Sequence, residues 1–212
     1  MQLHEKYRPR SFDDVVGQEK TIAKIKALMK RGLSGRAYWI SGPSGGGKSS
    51  IARLIAAEVA DESCVEEVDA SALTVSQLRE IERNSHVRGW GKGGRAYIVN
   101  EAHGLRKDVI RQLLVMLERI PEHAVWVFST TNDGQEALFD DYDDASPLLS
   151  RCLRFELARR DLARPFAERC KAIAEAEGLD GRDISQYVRL IQKHRQNLRA
   201  ALQEIESGAM SE

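Results

Sequence analysis

The stretch from Gly42 to Ser49 constrains what this chain can fold into more than any other part of the sequence. It reads Gly-Pro-Ser-Gly-Gly-Gly-Lys-Ser and fits the template G-x-x-x-x-G-K-[ST] at every fixed position. The apolar run at 37–41 predicts a buried strand before it, and the pattern of 50–57 predicts a helix after it. A flexible Gly/Ser turn is the alternative, but such a turn requires neither the strand nor the helix. The three parts together predict a loop that binds phosphate.

The chemistry of this loop follows from its residue types. Glycines let backbone N–H groups curl around a phosphate because no Cβ stands in the way, and the positive end of the following helix faces the same anion. Lys48 would place a full charge between the outer phosphates, and the Ser49 hydroxyl would ligate Mg²⁺. The other residues expected to bind the nucleotide here are Gly42, Pro43, Ser44, Gly45, Gly46, Gly47 and Ser50. The loop predicts a nucleoside triphosphate as ligand.

Composition limits the setting of this site. The chain has 212 residues, 42% of them apolar, and a formal net charge of zero, so any nucleic-acid contact must come from local patches. Three scattered cysteines without a C-x-x-C pair argue against a zinc site or a disulfide framework. No apolar run approaches the roughly 20 residues of a membrane span, and the polar start does not fit a signal peptide. We expect a soluble, cytoplasmic protein without membrane contact.

Strand and helix patterns alternate along the first three quarters of the chain. The strand patterns lie at 37–41, 64–69, 95–99, 124–130 and 153–157, and the helix patterns at 18–31, 50–57, 75–83 and 106–119. This alternation predicts an α/β fold with a parallel sheet covered on both faces. Five aspartates crowd the stretch 133–146, which shows neither period and predicts a solvated acidic loop. After Ala158 only helices are expected, at 161–177, 183–194 and 196–206, so we predict an α/β domain at 1–158 and a helical domain at 159–212.

A second element is needed to hold Mg²⁺ and activate water. The apolar strand 96–99 runs directly into Asn100 and Glu101, and such a strand delivers acidic side chains to the phosphate end of the sheet. Glu101 is the candidate base that polarises the attacking water, although a surface glutamate at a strand end is the alternative. His103 has no partner at helical spacing for a metal site, so we expect it to pack or to cap.

Five motifs in the same order resemble those of the clamp-loader ATPases of the AAA+ class, which include the small subunits of replication factor C and the bacterial tau/gamma subunit. Besides the phosphate loop, they are the residues 5–9 with 12 and 15–18, the helix 112–122, the Ser-Arg-Cys at 150–152 and the segment 197–202. The resemblance extends over nearly the whole chain. It implies a P-loop NTPase fold with a RecA-like parallel sheet, followed by a small all-helical lid domain, with ATP and Mg²⁺ as cofactors.

The resemblance also implies roles for single residues. Tyr7, Arg8 and Val16 would lie by the adenine and ribose. Thr131 would be the first sensor of the γ-phosphate, with Asn132 as the nearby alternative. From the lid, Arg199 would reach the γ-phosphate as the second sensor. Arg151 would be a finger inserted into a neighbouring subunit's site, a task suited to a planar, always charged guanidinium; a surface arginine before a strand is the alternative.

Three departures from the family pattern carry expectations of their own. Asn100 stands where the family usually has Asp; its amide keeps an acceptor oxygen for a Mg²⁺-bound water but loses the charge, so we expect binding to survive and turnover to be weak. No counterpart of the family's C-terminal collar follows the lid, which puts clamp loading by this chain alone in doubt. The acidic stretch before Pro147 is longer than in the family and could bear on a subunit interface.

In clamp loaders two helices next to the sheet contact the DNA backbone. The corresponding basic residues of this chain are Arg79, Arg83, Arg106, Lys107 and Arg111. By themselves they indicate a solvated helix face, whereas the resemblance implies salt-sensitive phosphate contacts that are independent of base sequence.

The sequence leaves two functions open. The first is an ATP-driven switch in DNA replication, recombination or repair, which assembles with copies of itself or related subunits on primed or double-stranded DNA and acts on a sliding clamp or another client. The second is a binding subunit that holds ATP with little turnover and offers Arg151 to an active neighbour. Asn100 favours the second; Glu101, Thr131 and Arg199 favour the first.

Overall fold

The computed structural model describes residues 1–141 and 145–211, and a five-stranded parallel sheet forms its centre. The strands are β1 (Arg36–Ser41), β2 (Val65–Asp69), β3 (Arg95–Asn100), β4 (Ala124–Thr130) and β5 (Cys152–Glu156). Their order across the sheet is β2-β3-β4-β1-β5. Each of the five coincides with a strand pattern seen in the sequence, so the predicted α/β class is confirmed.

Ten α-helices accompany the sheet in the described part of the chain. They are α1 (Leu3–Lys6), α2 (Glu19–Met29), α3 (Lys48–Val59), α4 (Val75–Ser85), α5 (Lys107–Leu117), α6 (Asn132–Asp141), α7 (Ala145–Ser150), α8 (Ala163–Glu177), α9 (Ile184–Lys193) and α10 (Leu198–Glu206). None of these helices is long and apolar enough to cross a membrane.

Alternating side chains of the strands build two cores, one on each face of the sheet. Along β4, Val125 and Val127 pack with α2 and α3, whereas Trp126 and Phe128 pack with α4, α5 and α7. Both sets are at most 2% exposed. Burial on both faces explains why β4 is continuously apolar rather than alternating in polarity.

The topology places a crevice at the end of β1. The chain leaves β1 toward β2 on one side of the sheet, yet β5, the last strand, pairs with β1 on the other side. Ligands of open α/β sheets bind at such a reversal, outside the carboxyl ends of the strands. The Gly42–Ser49 motif follows β1 directly and therefore lies at this point.

Helices α8, α9 and α10 form a third core after the sheet. Phe166, Tyr187 and Ile205 are buried in it, and Leu3 of α1 joins them from the other end of the chain. Two consecutive residues between α9 and α10, Arg195 and Gln196, have positive φ. Gln196 then accepts a hydrogen bond from Leu162 N (2.9 Å) and so ties this turn to the start of α8.

One expectation about the fold is wrong. The stretch 133–146 was expected to be a loop, but α6 covers Asn132–Asp141 and α7 begins at Ala145; residues 142–144 lie outside the described part. Leu138 and Leu148, which are 2% and 0% exposed, anchor the two helices in the core next to α5. The aspartates between them obscured this apolar spacing, because local charge lowers an average hydropathy without preventing a helix from packing.

Candidate nucleotide-binding site

The phosphate-binding motif forms the turn between β1 and α3. Gly45 and Gly47 adopt φ values of 71° and 98°, which glycine reaches without steric cost. A Cβ on Gly45 would lie 2.0 Å from Oδ1 of Asn197. The turn before α10 therefore approaches the loop so closely that only glycine fits at position 45. Helix α3 begins at Lys48, and its first N–H groups lack intrahelical partners. The predicted strand, loop and helix are confirmed.

Lys48 is a buried cation at the base of this loop. The residue is 7% exposed, and Nζ donates to the carbonyl oxygens of Gly42 (3.1 Å) and Pro43 (3.0 Å). Burial lowers the pKa of Lys48; the Glu101 carboxylate acts to raise it, and Arg199 acts to lower it. Neutral carbonyls compensate a buried charge poorly. A polyphosphate would supply the missing negative charge.

A pocket opens beside the loop, and the N-terminal segment, the loop, Glu101 after β3 and the helices α8 and α10 line it. The loop forms the floor, the N-terminal segment one wall, and the helices α8 and α10 the other. The predicted nucleotide-binding residues in its lining are Tyr7, Arg8, Val16, Ser44, Gly45, Gly46, Gly47, Lys48, Ser49, Ser50, Glu101 and Arg199. Residues more than 190 positions apart in the sequence thus meet at one site.

Sequence reasoning missed the residues that complete the walls. They are His4, Pro9, Asp14, Val15, Phe166, Arg169, Ile173, Leu198 and Leu202. Phe166, Arg169 and Ile173 lie three and four positions apart, on one face of α8, and Nη2 of Arg169 donates to Tyr7 O (3.4 Å). A cation between two apolar residues at that spacing was the available signal.

Glu101 reaches the pocket from an unusual backbone conformation. Its φ and ψ are 50° and 49°, a left-handed conformation that is uncommon for residues other than glycine. Its side chain is 49% exposed, and Oε2 lies 3.5 Å from Nδ1 of His103. The same ring nitrogen is 3.1 Å from Oγ1 of Thr130. His103, expected only to pack or cap, thus lies between Glu101 and the end of β4.

Asn100 does not line the pocket in the described part of the chain. Its Oδ1 accepts a hydrogen bond from Ser129 Oγ (2.9 Å), and its Nδ2 donates to Glu67 Oε1 (2.6 Å). The expected contact with a Mg²⁺-bound water stays a prediction. Glu67 was missed as a neighbour, because the pairing of β2 with β3 cannot be deduced from local patterns.

The two sensor candidates follow the end of β4 and are not among the described residues that line the pocket. Thr131 Oγ1 accepts from Gly134 N (3.1 Å) at the start of α6. Asn132 Nδ2 donates to Glu156 Oε1 (3.3 Å), while its Oδ1 is buried without a hydrogen-bond partner among the described residues. Their role as sensors stays a prediction.

Arg151 lies between α7 and β5 and is likewise outside the described lining of its own chain's pocket. Nη1 donates to Pro147 O (3.0 Å), and Nη2 pairs with the exposed Glu118 at the end of α5. This hydrogen bond and the charge of Arg151 lower the pKa of Glu118. A finger acting on a neighbour would exchange this partner for a phosphate.

The basic residues expected to contact DNA lie on α4, on α5 or, for Arg106, directly before α5, and the two helices pack side by side. All five, namely Arg79, Arg83, Arg106, Lys107 and Arg111, are exposed. Glu82 also faces α5, where Gln112 donates to its Oε2 (3.4 Å). The surface formed by α4 and α5 therefore carries clustered cations with carboxylates between them.

The donor set favours a hard cation brought in with phosphate over a permanent metal site. No group of three or more His, Cys, Asp or Glu suited to a metal occurs among the described residues, and Cys64, Cys152 and Cys170 are free and buried. Ser49 and Glu101 offer hydroxyl and carboxylate oxygens in the same pocket. Mg²⁺ is usually held by one or two such ligands together with substrate phosphates.

Comparison with known proteins shows that the chain is similar in sequence to subunits of DNA polymerase III. The chain is 30% identical over 201 residues to the DNA polymerase III subunit tau of Bacillus subtilis, a match that covers 84% of this chain and 34% of that protein. It is 31% identical over 183 residues to the subunit tau of Escherichia coli K12, with coverage of 76% and 27%. The chain thus spans between a quarter and about a third of the length of these relatives. No protein-family model matches it.

Comparison with solved structures gives the fold. The Thermotoga maritima RuvB Holliday junction branch migration motor superposes with a TM-score of 0.73 at 22% identity, over 94% of this chain and 64% of that one. A single-substitution variant of the same protein gives a TM-score of 0.74 at 21% identity. The sheet and the helices after it therefore have the arrangement found in that protein.

Proposed function

Because the chain belongs to the clamp-loader-like family of AAA+ proteins, we propose that it is an ATPase that binds ATP with Mg²⁺ and assembles with other subunits on DNA. One observation carries the proposal: the phosphate loop, Glu101 after β3 and Arg199 of α10 line a single pocket with a buried cation at its base. The helices 159–212 act as its lid domain, next to the nucleotide-binding domain 1–158.

The residues have separate tasks in this proposal. The loop N–H groups and Lys48 bind the β- and γ-phosphates, and Ser49 and Glu101 hold Mg²⁺, which would neutralise phosphate charge when bound. Glu101 also orients and polarises the attacking water. Tyr7, Arg8 and Val16 enclose the nucleoside end. Arg199 contacts the γ-phosphate from the lid.

The remaining residues of the proposal act on a neighbouring subunit, on the γ-phosphate and on DNA. Arg151 stabilises charge in a neighbour's site, and Thr131 or Asn132 responds to the γ-phosphate. The exposed cations of α4 and α5 hold the backbone of primed or double-stranded DNA, with a sliding clamp or another replication or repair protein as client. Such contacts neutralise phosphates and should weaken steeply with salt.

The second candidate is a binding subunit with little turnover, and Asn100 is the observation that favours it. An amide that is hydrogen bonded to Ser129 and Glu67 adds no negative charge near the metal. Such a subunit would still bind ATP and lend Arg151 to an active partner.

Steady-state hydrolysis by the purified chain, with and without primed DNA, separates the two functions. For an ATPase, Glu101→Gln should keep nucleotide affinity within about threefold and lower turnover about 10²- to 10³-fold, because an amide cannot polarise water as a carboxylate does. Glu122→Gln, at the opposite end of the sheet before β4, is the matched control. Turnover that is undetectable in the unchanged protein, despite tight ATP binding, would favour the binding subunit.

A further inference from the structure

Four polar side chains near Glu101 form a hydrogen-bonded network that crosses three strands. Arg53 of α3 pairs with Glu67 of β2 through two hydrogen bonds, Nε to Oε2 at 2.7 Å and Nη2 to Oε1 at 3.1 Å. Glu67 Oε1 accepts from Asn100 of β3 at 2.6 Å, and Asn100 Oδ1 accepts from Ser129 of β4 at 2.9 Å. The four side chains share the face of the sheet that α3 covers.

The orientation of the Asn100 amide follows from its partners. An ionised carboxylate accepts hydrogen bonds and cannot donate, so the NH₂ group must face Glu67. The amide oxygen then faces Ser129, which is 1% exposed, so that loss of this hydrogen bond would leave a buried polar group unpaired. The amide therefore bridges β2 and β4 along the sheet instead of pointing out of its edge.

The charge of Glu67 also decides which residue type fits here. An aspartate at position 100 would bring a second carboxylate to within hydrogen-bonding distance of the first, and two such groups resist joint ionisation. An asparagine of the same shape satisfies both neighbours. Asn100 is thus matched to Glu67 rather than being a weakened version of a metal-binding acid.

We propose that Asn100 is a positioning residue: clamped between Glu67 and Ser129, it holds the left-handed backbone that presents Glu101 to the pocket, and it takes no part in metal binding. Glu101 follows it directly, with φ of 50° and ψ of 49°. The protein's share of Mg²⁺ binding then falls to Ser49 and Glu101. This inference rests on the proposed nucleotide function for its metal and turnover aspects, whereas the contacts of Asn100 with Glu67 and Ser129 do not depend on it.

A double-mutant cycle on unfolding tests the clamp without any nucleotide. Asn100→Asp in EDTA should lower the midpoint of thermal unfolding by several degrees. Adding Glu67→Gln should restore at least half of the loss, because the amide introduced on β2 can donate to the new carboxylate and reverse the polarity of the bond. An unchanged midpoint for Asn100→Asp, or strictly additive effects of the two substitutions, would overturn the proposal that Glu67 and Ser129 hold Asn100 in place.

A titration with a fluorescent ATP analogue tests the metal aspect. The ratio of its affinities in Mg²⁺ and in EDTA should change less than about twofold in Asn100→Ala and fall at least about tenfold in Ser49→Ala. A comparable fall in Asn100→Ala would show that Asn100 acts on the metal and would overturn the proposal. Failure of the unchanged protein to bind the analogue would refute the nucleotide function instead. The unfolding cycle would still show whether Glu67 and Ser129 hold Asn100 in place.

The position of Glu101 can be tested by steady-state kinetics, because a change in stability alone would not alter kcat in the folded protein. Ser129→Ala removes one end of the clamp at a site outside the pocket lining. It should lower kcat about tenfold while KM stays within about twofold, the pattern of an interaction used in the transition state. Equal kcat in Ser129→Ala and the unchanged protein would contradict the positioning role.

Discussion

At the residue scale, the site depends most on one buried charge. Lys48 is 7% exposed and is held by two carbonyls, which is a costly arrangement in the free protein. Glu101 offsets part of this cost, and a bound anion would offset more. A residue whose burial opposes stability and favours a ligand is typical of a binding site.

Lys48→Ala should therefore weaken nucleotide binding by at least about 100-fold, since two charge-assisted hydrogen bonds are worth about 3 kcal/mol together. The free variant should unfold at a temperature no lower than the unchanged protein, because a buried charge is removed. Binding is measured with the fluorescent analogue. Lys92→Ala, whose Nζ bonds to Ala57 O away from the pocket, is the control. Equal affinity in the Lys48 variant would refute the phosphate-loop assignment.

At the element scale, the turn before α10 contacts the phosphate loop and so links the three C-terminal helices to it. Gly45→Ala would force φ of 71° on a residue with a Cβ and place that Cβ 2.0 Å from Asn197 Oδ1. We expect a loss of about 2 kcal/mol or more in unfolding free energy and a clear loss of nucleotide affinity. Gly32→Ala has φ of 83° but open space around it, so it should cost about 1 kcal/mol and leave binding unchanged. Similar costs for both variants would mean that the Asn197 contact is unimportant.

A carboxylate at the joint between α8 and α9 is expected to make the packing of these helices depend on pH. Asp180 accepts from Lys171 Nζ (2.8 Å) and from Tyr187 Oη (2.6 Å), and these bonds lower the pKa of Asp180 below its usual 3.8 despite the opposing effect of burial. A lowered pKa means that the carboxylate stabilises the fold above about pH 4 and that this contribution is lost as the pH falls further.

Asp180→Asn should thus destabilise the protein at pH 7, and its effect should shrink progressively as the pH is lowered below the usual aspartate pKa of 3.8. Unfolding by urea over this pH range measures the change. Asp13→Asn, in an exposed pair with Lys26, serves as control and should matter little throughout the range. An Asp180→Asn penalty that does not change with pH would contradict the assigned role of the charge.

At the scale of the whole molecule, the site is expected to be complete only between subunits. Arg151 pairs with Glu118 on its own chain and lies outside the described lining of its own pocket. Specific activity should then rise with protein concentration, or on adding DNA that gathers subunits. Removal of a finger in trans typically costs about 10³-fold or more in rate.

Mixing Arg151→Ala with Lys48→Ala protein should restore part of the activity, since one subunit brings an intact phosphate loop and the other an intact finger. Arg154→Ala, an exposed arginine of β5, should behave like the unchanged protein. A hydrolysis rate independent of concentration, and unaffected by Arg151→Ala, would require both the finger and the oligomer to be abandoned.

The sequence by itself determined the strand–loop–helix at Gly42–Ser49, the parallel α/β class and the helices after Ala158, because glycine conformation and hydrophobic periodicity act over a few neighbouring residues. It also located Glu101 at a strand end. Only the tertiary structure decided which strands are neighbours, and hence that Asn100 meets Glu67 and Ser129. It likewise brought Arg169 of α8 to the pocket and packed α6 as a helix where local charge had indicated a loop. Such contacts join residues far apart in the chain, and their energies depend on pairing and burial that no local pattern records.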